Sequence, residues 1–250
     1  MKPEIANELL AETMENYEKI SREFVQTRFA LWHIFDYFRK FVKDGDRVLD
    51  AGCGSGRLIE MLKDFDISYT GVDGGKHLLE FLRETYGPAL KTPPELIQSS
   101  ITNLGMLLDG SFDTIFSIAT LHHIPSEKLR QRALSEFYRV LKPGGRVIIT
   151  NWNLRSVWAI KKYWPEILHL IIPRKNLDEG DILVPWKLKT GEVVNRYYHA
   201  FSLAELKTAL TAAGFKILEN KYMNYSADSN IFFGQNILTI AVKSDNTDIS

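Results

Sequence analysis

The chain has little cysteine and no long apolar run. Its 250 residues include a single cysteine, Cys53, which excludes an internal disulfide and favours a reducing compartment. No apolar segment approaches the ~18 residues that would span a bilayer. The glutamate-rich N-terminus also lacks the basic and apolar regions of a signal peptide. We therefore expect a soluble, cytoplasmic protein with no membrane association.

The chain also lacks an excess of either charge. It has 31 Lys and Arg against 31 Asp and Glu, so it does not show the overall basic bias of many RNA-binding proteins. The charges are unevenly distributed: residues 1–100 hold 13 basic and 17 acidic groups, and residues 101–250 hold 18 and 14. Segment 126–146, with six basic and two acidic side chains, predicts either a phosphate-facing patch or a solvated helix face.

A glycine-rich turn follows an apolar segment that begins at Val48. Gly52, Gly54 and Gly56 form a G-x-G-x-G pattern, and glycines let a backbone bend sharply and approach a ligand closely. A dinucleotide site prefers G-x-G-x-x-G around a pyrophosphate. Asp50, just before the turn, would repel a pyrophosphate but suits a ligand with an ammonium group. The pattern therefore predicts a positively charged, nucleotide-like cofactor.

A second carboxylate, Asp73, ends the next apolar segment about twenty residues later, where an acidic side chain accepts hydrogen bonds from ribose hydroxyls. Capping of the following helix is the alternative role for Asp73 alone. Together, Asp50 and Asp73 fit S-adenosylmethionine better than NAD.

Strands and helices alternate through the first 150 residues. Strands are predicted near 46–51, 68–73, 94–99, 112–118 and 145–151, with helices near 56–64, 76–86 and 126–141. This alternation predicts an α/β fold, with a parallel sheet covered by helices on both faces.

Further elements are predicted on either side of this alternating region. Helices are predicted over Ile5–Ile20, Phe29–Val42 and Leu203–Ala213, and two strands near 215–223 and 235–243. An insertion at 152–200 carries four of the five tryptophans. We expect it to hold a helix over 155–172 broken at Pro165, and a hairpin over Leu183–Phe201 that turns at 189–192.

From Val48 to Asn151 the sequence resembles the class I S-adenosylmethionine-dependent methyltransferases. Segments 97–101, 112–119 and 141–149 match family motifs in the family's order. The resemblance implies one Rossmann-like domain over 1–250, with seven strands of which the last is antiparallel. Its parts would be an N-terminal helical cap (1–44), a cofactor-binding core (45–151), a substrate-side insertion (152–200) and the C-terminal part of the sheet (201–243).

The same resemblance implies which residues bind the cofactor. They are Asp50, Ala51, Gly52, Gly54, Gly56, Asp73, Gly74, Ser100, Ile101 and Ser117. The family often has Asp at the position of Ser100, so adenine recognition would depend here on the hydroxyl or on backbone N–H groups.

Three other stretches resemble the tRNA wobble-uridine carboxymethyl methyltransferases, which esterify the carboxylate of carboxymethyluridine. They are 17–32, 121–140 and 181–206, and the resemblance extends over nearly the whole chain beyond residue 15. It implies tRNA as the substrate. It also implies a small zinc-containing activator subunit, on which eukaryotic members of the family depend.

An acceptor carboxylate is already ionised at neutral pH, so it needs a cation rather than a strong base. Arg28 and Arg196 are the candidates, because guanidinium matches a carboxylate in two-point geometry. Structural ion pairs are the alternative for both, and Arg28 could instead hold the carboxylate of the cofactor.

His122 and His123 follow the fourth predicted strand, where they could contact the acceptor or act as a base toward a hydroxyl or amine. Tyr197, Tyr198 and His199 could stack on or hydrogen-bond to a base of the acceptor. Tyr197 and His199 share one face of a predicted strand and Tyr198 has the other, so only one of these faces can line the site. No metal-ligand spacing is recognisable.

Two other functions stay open. One is a methyltransferase for a small-molecule acceptor such as a carboxylate, hydroxyl or quinone, with 152–200 as a lid. The other is a catalytically silent, cofactor-binding scaffold. The complete set of cofactor residues argues against the scaffold, which has no need to keep it.

Overall fold

A computed structural model of the chain describes residues 1–27, 34–170, 175–224 and 227–244. Arg28, the start of the helix predicted over Phe29–Val42 and the end of the helix predicted over 155–172 lie outside the described residues.

The strands of the described residues are β1 (Arg47–Ala51), β2 (Ser68–Asp73), β3 (Glu95–Gln98), β4 (Phe112–Ile118), β5 (Leu141–Trp152), β6 (Asp181–Lys187), β7 (Val193–His199), β8 (Phe215–Asn224), β9 (Ala227–Asp228) and β10 (Asn236–Lys243). Eight of them form one sheet in the order β3-β2-β1-β4-β5-β10-β8-β9. Strands β1 to β5 are parallel, and β10 runs antiparallel between β5 and β8. The predicted sheet is confirmed, with the two-residue strand β9 as an addition.

The α-helices of the described residues are α1 (Pro3–Gln26), α2 (Ile34–Phe38), α3 (Ile59–Leu62), α4 (Lys76–Thr85), α5 (Glu127–Val140), α6 (Val157–Lys162), α7 (Trp164–Ile167) and α8 (Leu203–Ala212). The side chains of Ser126, Ser156 and Ser202 cap α5, α6 and α8 by accepting a backbone N–H of the first turn. None of the described helices combines the length and apolar character of a transmembrane span.

Apolar layers cover both faces of the sheet. Successive residues of a strand face opposite ways, so Leu49 packs in the cluster that includes Phe137 of α5, and Val48 in the cluster that includes Phe38 of α2. Because β1 to β5 are parallel, their carboxyl ends meet at one edge of the sheet. Helices cover both faces, and open α/β sheets bind ligands at this edge.

The insertion forms a separate two-stranded sheet of β6 and β7, in which Asp181 pairs with His199. The predicted hairpin is therefore confirmed. The break predicted in the helix over 155–172 falls at Tyr163 instead of Pro165: α6 stops before Tyr163, and Pro165 lies in the first turn of α7, where its missing N–H breaks no helical hydrogen bond. Helix α1 packs against β7, and Asn16 Nδ2 donates to the carbonyl of Asn195 at 2.7 Å.

Candidate functional site

The three glycines of the turn after β1 have different structural roles. All have positive φ, at +86° for Gly52, +51° for Gly54 and +85° for Gly56. A Cβ atom on Gly52 would lie 2.1 Å from the Thr120 side chain, and one on Gly56 would lie 2.5 Å from Leu82. A Cβ atom on Gly54 would have no atom of the described residues within 4 Å, apart from its neighbours in the chain. The outer glycines therefore allow close packing, whereas Gly54 presents open backbone.

This open backbone faces a cavity at the carboxyl ends of β1, β2 and β4, with α1 as its roof. The cofactor half is lined by Asp50, Gly52, Gly54, Asp73, Gly74, Ser99, Ser100 and Ile101. The other half is lined by Tyr17, Phe24, Thr120, His123, Trp152 and Tyr198. Most of the predicted cofactor residues are thus brought together around one space.

Asp73 holds the glycine turn to the start of α4. Its Oδ2 accepts the N–H of Gly54 at 2.9 Å, and its Oδ1 accepts the N–H of Gly75 at 2.8 Å. Burial raises the pKa of Asp73, and these backbone N–H groups lower it, with a net rise. A carboxylate oxygen has more than one acceptor site, so Asp73 can both hold the turn and accept ribose hydroxyls from the cavity.

Asp50 is a buried carboxylate that forms no ion pair within the described residues, although the charge of Arg57, which also lines the cavity, acts on it. It is 2% exposed, and its Oδ2 accepts the hydroxyl proton of Tyr69 at 2.8 Å. Burial raises the pKa of Asp50 to about 7, although the Tyr69 hydrogen bond opposes the rise. A cationic ligand beside Asp50 would favour the ionised form. The carboxylate therefore fits the ammonium group of S-adenosylmethionine.

The third part of the cofactor half is the segment after β3. The Ser100 hydroxyl lies 2.9 Å from that of Thr102 and accepts the Thr102 N–H at 3.2 Å. Because Thr102 occupies this hydroxyl, the geometry favours the backbone around Ile101 for adenine recognition.

Three predicted cofactor residues do not line the cavity. Ala51 and Ser117 are fully buried inside β1 and β4, and Gly56 packs against Leu82 of α4. Strand alternation explains Ala51, because Asp50 takes the orientation that reaches the ligand. These positions support the site without contacting its contents.

His123 lines the cavity, but both of its ring nitrogens are engaged. Nδ1 lies 2.9 Å from the carbonyl oxygen of Tyr197, so it carries a proton, because a carbonyl only accepts. Nε2 lies 2.9 Å from the Tyr17 hydroxyl. In the tautomer that is protonated at Nδ1, the Nε2 atom of His123 accepts a hydrogen bond from the Tyr17 hydroxyl and orients this hydroxyl. This arrangement does not leave His123 as a free base.

His122 lies behind the cavity wall. It is fully buried, with Nδ1 at 3.1 Å from Asn151 Oδ1, and its ring stacks on Tyr198 at 5.3 Å. Burial, followed by the neighbouring His123, lowers the pKa of His122 far below its usual value. His122 is therefore neutral and supports the Tyr198 ring.

Strand β7 presents Tyr198 to the cavity, not Tyr197 or His199. The Tyr197 hydroxyl and His199 Nδ1 both bond Asp181 Oδ1, at 2.5 and 2.7 Å, in a buried cluster on the opposite face. The prediction that Tyr197 and His199 contact the acceptor is corrected accordingly. Strand alternation predicts that the two faces differ, but the sequence does not indicate which face of β7 meets the cavity.

Arg196 shares the face of Tyr198. It is 3% exposed, and its guanidinium carbon lies 5.3 Å from the Tyr198 ring centroid and 4.9 Å from that of Trp186. Among the described residues its Nε has no hydrogen-bond partner and no Asp or Glu forms an ion pair with it, while the Tyr163 hydroxyl interacts with the guanidinium. A buried cation without a counter-charge is unfavourable unless a ligand supplies one. Arg28, the other predicted cation, lies outside the described residues.

The sequence did not single out two residues of the acceptor half, Tyr17 and Trp152, and it left open whether Tyr198 or the opposite face of its strand lines the site. Trp152 stacks on Tyr198 at a centroid distance of 5.2 Å. Leu10, Met14 and Tyr17 follow helical spacing, which indicates one face of α1 but not what that face covers.

No group of three or more His, Cys, Asp or Glu side chains suited to a metal ion occurs within the ranges that the structure describes.

Comparisons with known proteins agree with this geometry. Residues 49–149 match a family model described as a methyltransferase domain. A protein of Encephalitozoon cuniculi that is named as a methyltransferase is 30% identical over 82% of this chain and 87% of its own length. The tRNA (carboxymethyluridine(34)-5-O)-methyltransferase of Schizosaccharomyces pombe is 27% identical over 82% of this chain and 89% of its own length. Four other relatives with that name are longer, and the chain spans only 20% to 39% of them.

A solved structure of an S-adenosylmethionine-dependent methyltransferase from Methanosarcina mazei is also similar. It is 26% identical, with a TM-score of 0.66 over 83% of this chain and 97% of that one. Fold, cofactor cavity and sequence relatives agree: the chain belongs to the class I S-adenosylmethionine-dependent methyltransferases.

Proposed function

We propose that the enzyme transfers a methyl group to the carboxylate of a carboxymethyl-modified wobble uridine in tRNA. The observation that carries this proposal is Arg196, a guanidinium buried beside Tyr198 of the acceptor half and without an Asp or Glu partner among the described residues. An acceptor carboxylate supplies the missing charge and matches the guanidinium in two-point geometry.

Bound S-adenosylmethionine supplies a methyl group on a positively charged sulfur. The acceptor carboxylate oxygen attacks this methyl group, so that an oxygen–carbon bond forms as the sulfur–carbon bond breaks. The products are a methyl ester and S-adenosylhomocysteine, and no proton is transferred. A site without a free base suits this reaction: His123 is engaged at both nitrogens and His122 is buried and neutral.

The chain's own contribution is therefore alignment and exclusion of water. Arg196 holds the carboxylate, and the stacked rings of Trp152 and Tyr198 form a flat wall against which a uracil base can stack. The Tyr17 hydroxyl, oriented by His123, lies at the edge of this wall.

The relative from Schizosaccharomyces pombe supports tRNA as the acceptor, since it matches over most of both chains. Electrostatics gives weaker support than the sequence suggested. Of the six basic residues of 126–146, Arg130 is buried, Arg139 pairs with Glu136 and Asp109, and Lys142 pairs with Asp113. The exposed ones are Lys128, Arg132 and Arg146.

Transfer of radiolabelled methyl groups to tRNA bearing carboxymethyluridine tests the proposal. We expect label in the wobble nucleoside, identified by mass spectrometry, and its release by mild alkali as expected for an ester. The matched control is the same tRNA with its carboxymethyl groups converted to amides, which should take no label. Label in an alkali-stable position, or equal labelling of the amide tRNA, would contradict the proposal.

A small carboxylic acid is the second candidate acceptor. The aromatic lining of the cavity and the absence of net charge favour it. Label found in small organic acids of a cell extract, with none in tRNA, would establish this candidate instead.

The activator subunit implied by the family resemblance belongs to the proposal as well. If the purified chain alone methylates tRNA as fast as the chain with added activator, the activator is not required.

A further inference from the structure

A buried cluster of charged side chains lies on the face of β7 opposite the cavity. His199, which is 3% exposed, is at its centre. Its Nδ1 lies 2.7 Å from Asp181 Oδ1 of β6, and its Nε2 lies 2.6 Å from Glu205 Oε1 of α8. Imidazole thus bridges two carboxylates that belong to different parts of the fold, the insertion and the C-terminal helix.

This geometry fixes the charge of His199. An ionised carboxylate only accepts hydrogen bonds, so both ring nitrogens must carry protons for both contacts to form. Each carboxylate has a further partner: the Tyr197 hydroxyl donates to Asp181, and Arg130 Nη2 of α5 lies 3.7 Å from Glu205. With His199 as an imidazolium, the cluster holds two negative and two positive charges.

Further charged groups line the polar groove outside the cluster. They are the N-terminal ammonium of Met1, which pairs with Asp178, and the side chains of Glu127, Lys128, Arg155, Asp178 and Glu179. Burial lowers the pKa of His199, but its hydrogen bonds to Asp181 and Glu205 outweigh burial and raise the pKa above its usual value, while Arg130 opposes them.

The cluster is coupled to the acceptor half of the cavity through the backbone of β7. Tyr197 contributes its hydroxyl to the cluster and its carbonyl to His123 Nδ1, at 2.9 Å. The next residue, Tyr198, lies in the cavity wall. Displacement of His199 would therefore move both the Tyr198 ring and the Tyr197 carbonyl group that orients His123.

We propose that His199 is a positioning residue for methyl transfer: as an imidazolium bridge between Asp181 and Glu205, it holds β7 so that Tyr198 and His123 face the acceptor. It does not touch the acceptor itself. Deprotonation leaves one carboxylate facing a ring nitrogen lone pair, which loosens this wall. Acceptor binding then weakens as the pH rises through the pKa of His199, while the cofactor half is unaffected.

Nitrogen-15 NMR of the imidazole rings tests the charge state without any acceptor. In the wild type at pH 7.5, we expect both nitrogens of His199 to be protonated. In Glu205→Gln, the pKa of His199 should fall and the resonances of His123 should shift, because the two rings are linked through Tyr197. A His199 that is neutral at pH 7.5, or a His123 that does not respond, would overturn the proposal.

The kinetic test rests on the proposed function, whereas the NMR test does not, so failure of one is distinguishable from failure of the other. Glu205→Gln and His199→Gln should raise the acceptor KM at pH 8 by roughly tenfold, with the affinity for S-adenosylmethionine unchanged. For Glu205→Gln, the rise should begin at lower pH than in the wild type. Glu192→Gln, exposed at the hairpin turn, is the matched control. A lower melting temperature with an unchanged acceptor KM would show a merely structural role.

Discussion

Single residues of the cavity differ in what balances their charge. Asp73 is held by two backbone N–H groups, whereas Asp50 accepts a hydrogen bond from the Tyr69 hydroxyl and is acted on by the charge of Arg57, and Arg196 has no carboxylate partner among the described residues. Asp50 thus lines the cofactor half of the cavity, and Arg196 lies buried beside Tyr198 of the acceptor half, so opposite charges lie beside the two halves. This arrangement suits a cationic donor and an anionic acceptor.

Cofactor affinity should depend on pH through Asp50. Burial raises the pKa of Asp50 to about 7, so the carboxylate is largely protonated at pH 6 and ionised at pH 8. Only the ionised form attracts the ammonium group. We expect the dissociation constant for S-adenosylmethionine to be roughly tenfold higher at pH 6 than at pH 8, measured by calorimetry. Asp50→Asn should bind weakly at both pH values, and a wild-type affinity that is constant over this range would contradict the assignment.

Replacement of Arg196 should separate activity from stability. Arg196→Met removes a buried charge that has no Asp or Glu partner in the described part of the chain, so the melting temperature should stay the same or rise. Methyl transfer should fall by about 30-fold or more, because the acceptor loses a charge-assisted contact. Arg83→Met, at an exposed position of α4, is the control. A marked loss of stability in Arg196→Met would instead identify a structural residue.

Among the elements, the turn between β1 and α3 determines where a ligand can approach. Gly54→Ala places a methyl group where no protein atom lies within 4 Å, so it should block the cofactor rather than the fold. Gly191→Ala, in the hairpin loop, has the same open surroundings and a positive φ, but lies outside the cavity lining.

Both alanine variants should therefore lose about 1 kcal/mol of stability from backbone strain. Only Gly54→Ala should also lose affinity for S-adenosylmethionine, by roughly tenfold or more because of the steric conflict. Equal cofactor affinity in the two variants, measured by calorimetry, would contradict this role of the turn.

The same elements show how far the sequence predicts the molecule. The sheet, the glycine turn and the hairpin follow from local patterns: strand alternation, glycine spacing and turn residues. The acceptor wall does not, because Tyr17 of α1 and Tyr198 of β7 meet His123 only through contacts distant in sequence. Because alternate residues of a strand face opposite ways, the sequence places Tyr198 on the face opposite Tyr197 and His199. Only the packing of β7 decides which of these faces meets the cavity.

The molecule as a whole has no net charge, so the tRNA binding proposed for it would depend on local basic patches. Lys128, Arg132 and Arg146 are the exposed basic residues of the patch predicted from the sequence. We expect the logarithm of the tRNA affinity to fall with the logarithm of salt concentration with a slope of about −3, close to one for each such contact.

Lys128→Gln and Arg132→Gln should each reduce that slope by about one, measured by filter binding over a series of salt concentrations. Lys91→Gln, exposed in the acidic N-terminal half, should leave it unchanged. A steep slope that none of these variants alters would place the RNA on another surface.

The central claim is that S-adenosylmethionine binds in the cavity beneath α1. A crystal structure with S-adenosylhomocysteine tests this claim directly. We predict the ribose beside Asp73, the amino group beside Asp50, and the sulfur directed toward Tyr198 and His123. Well-ordered crystals grown at saturating ligand that show no density there, or a ligand bound elsewhere, would contradict the assignment.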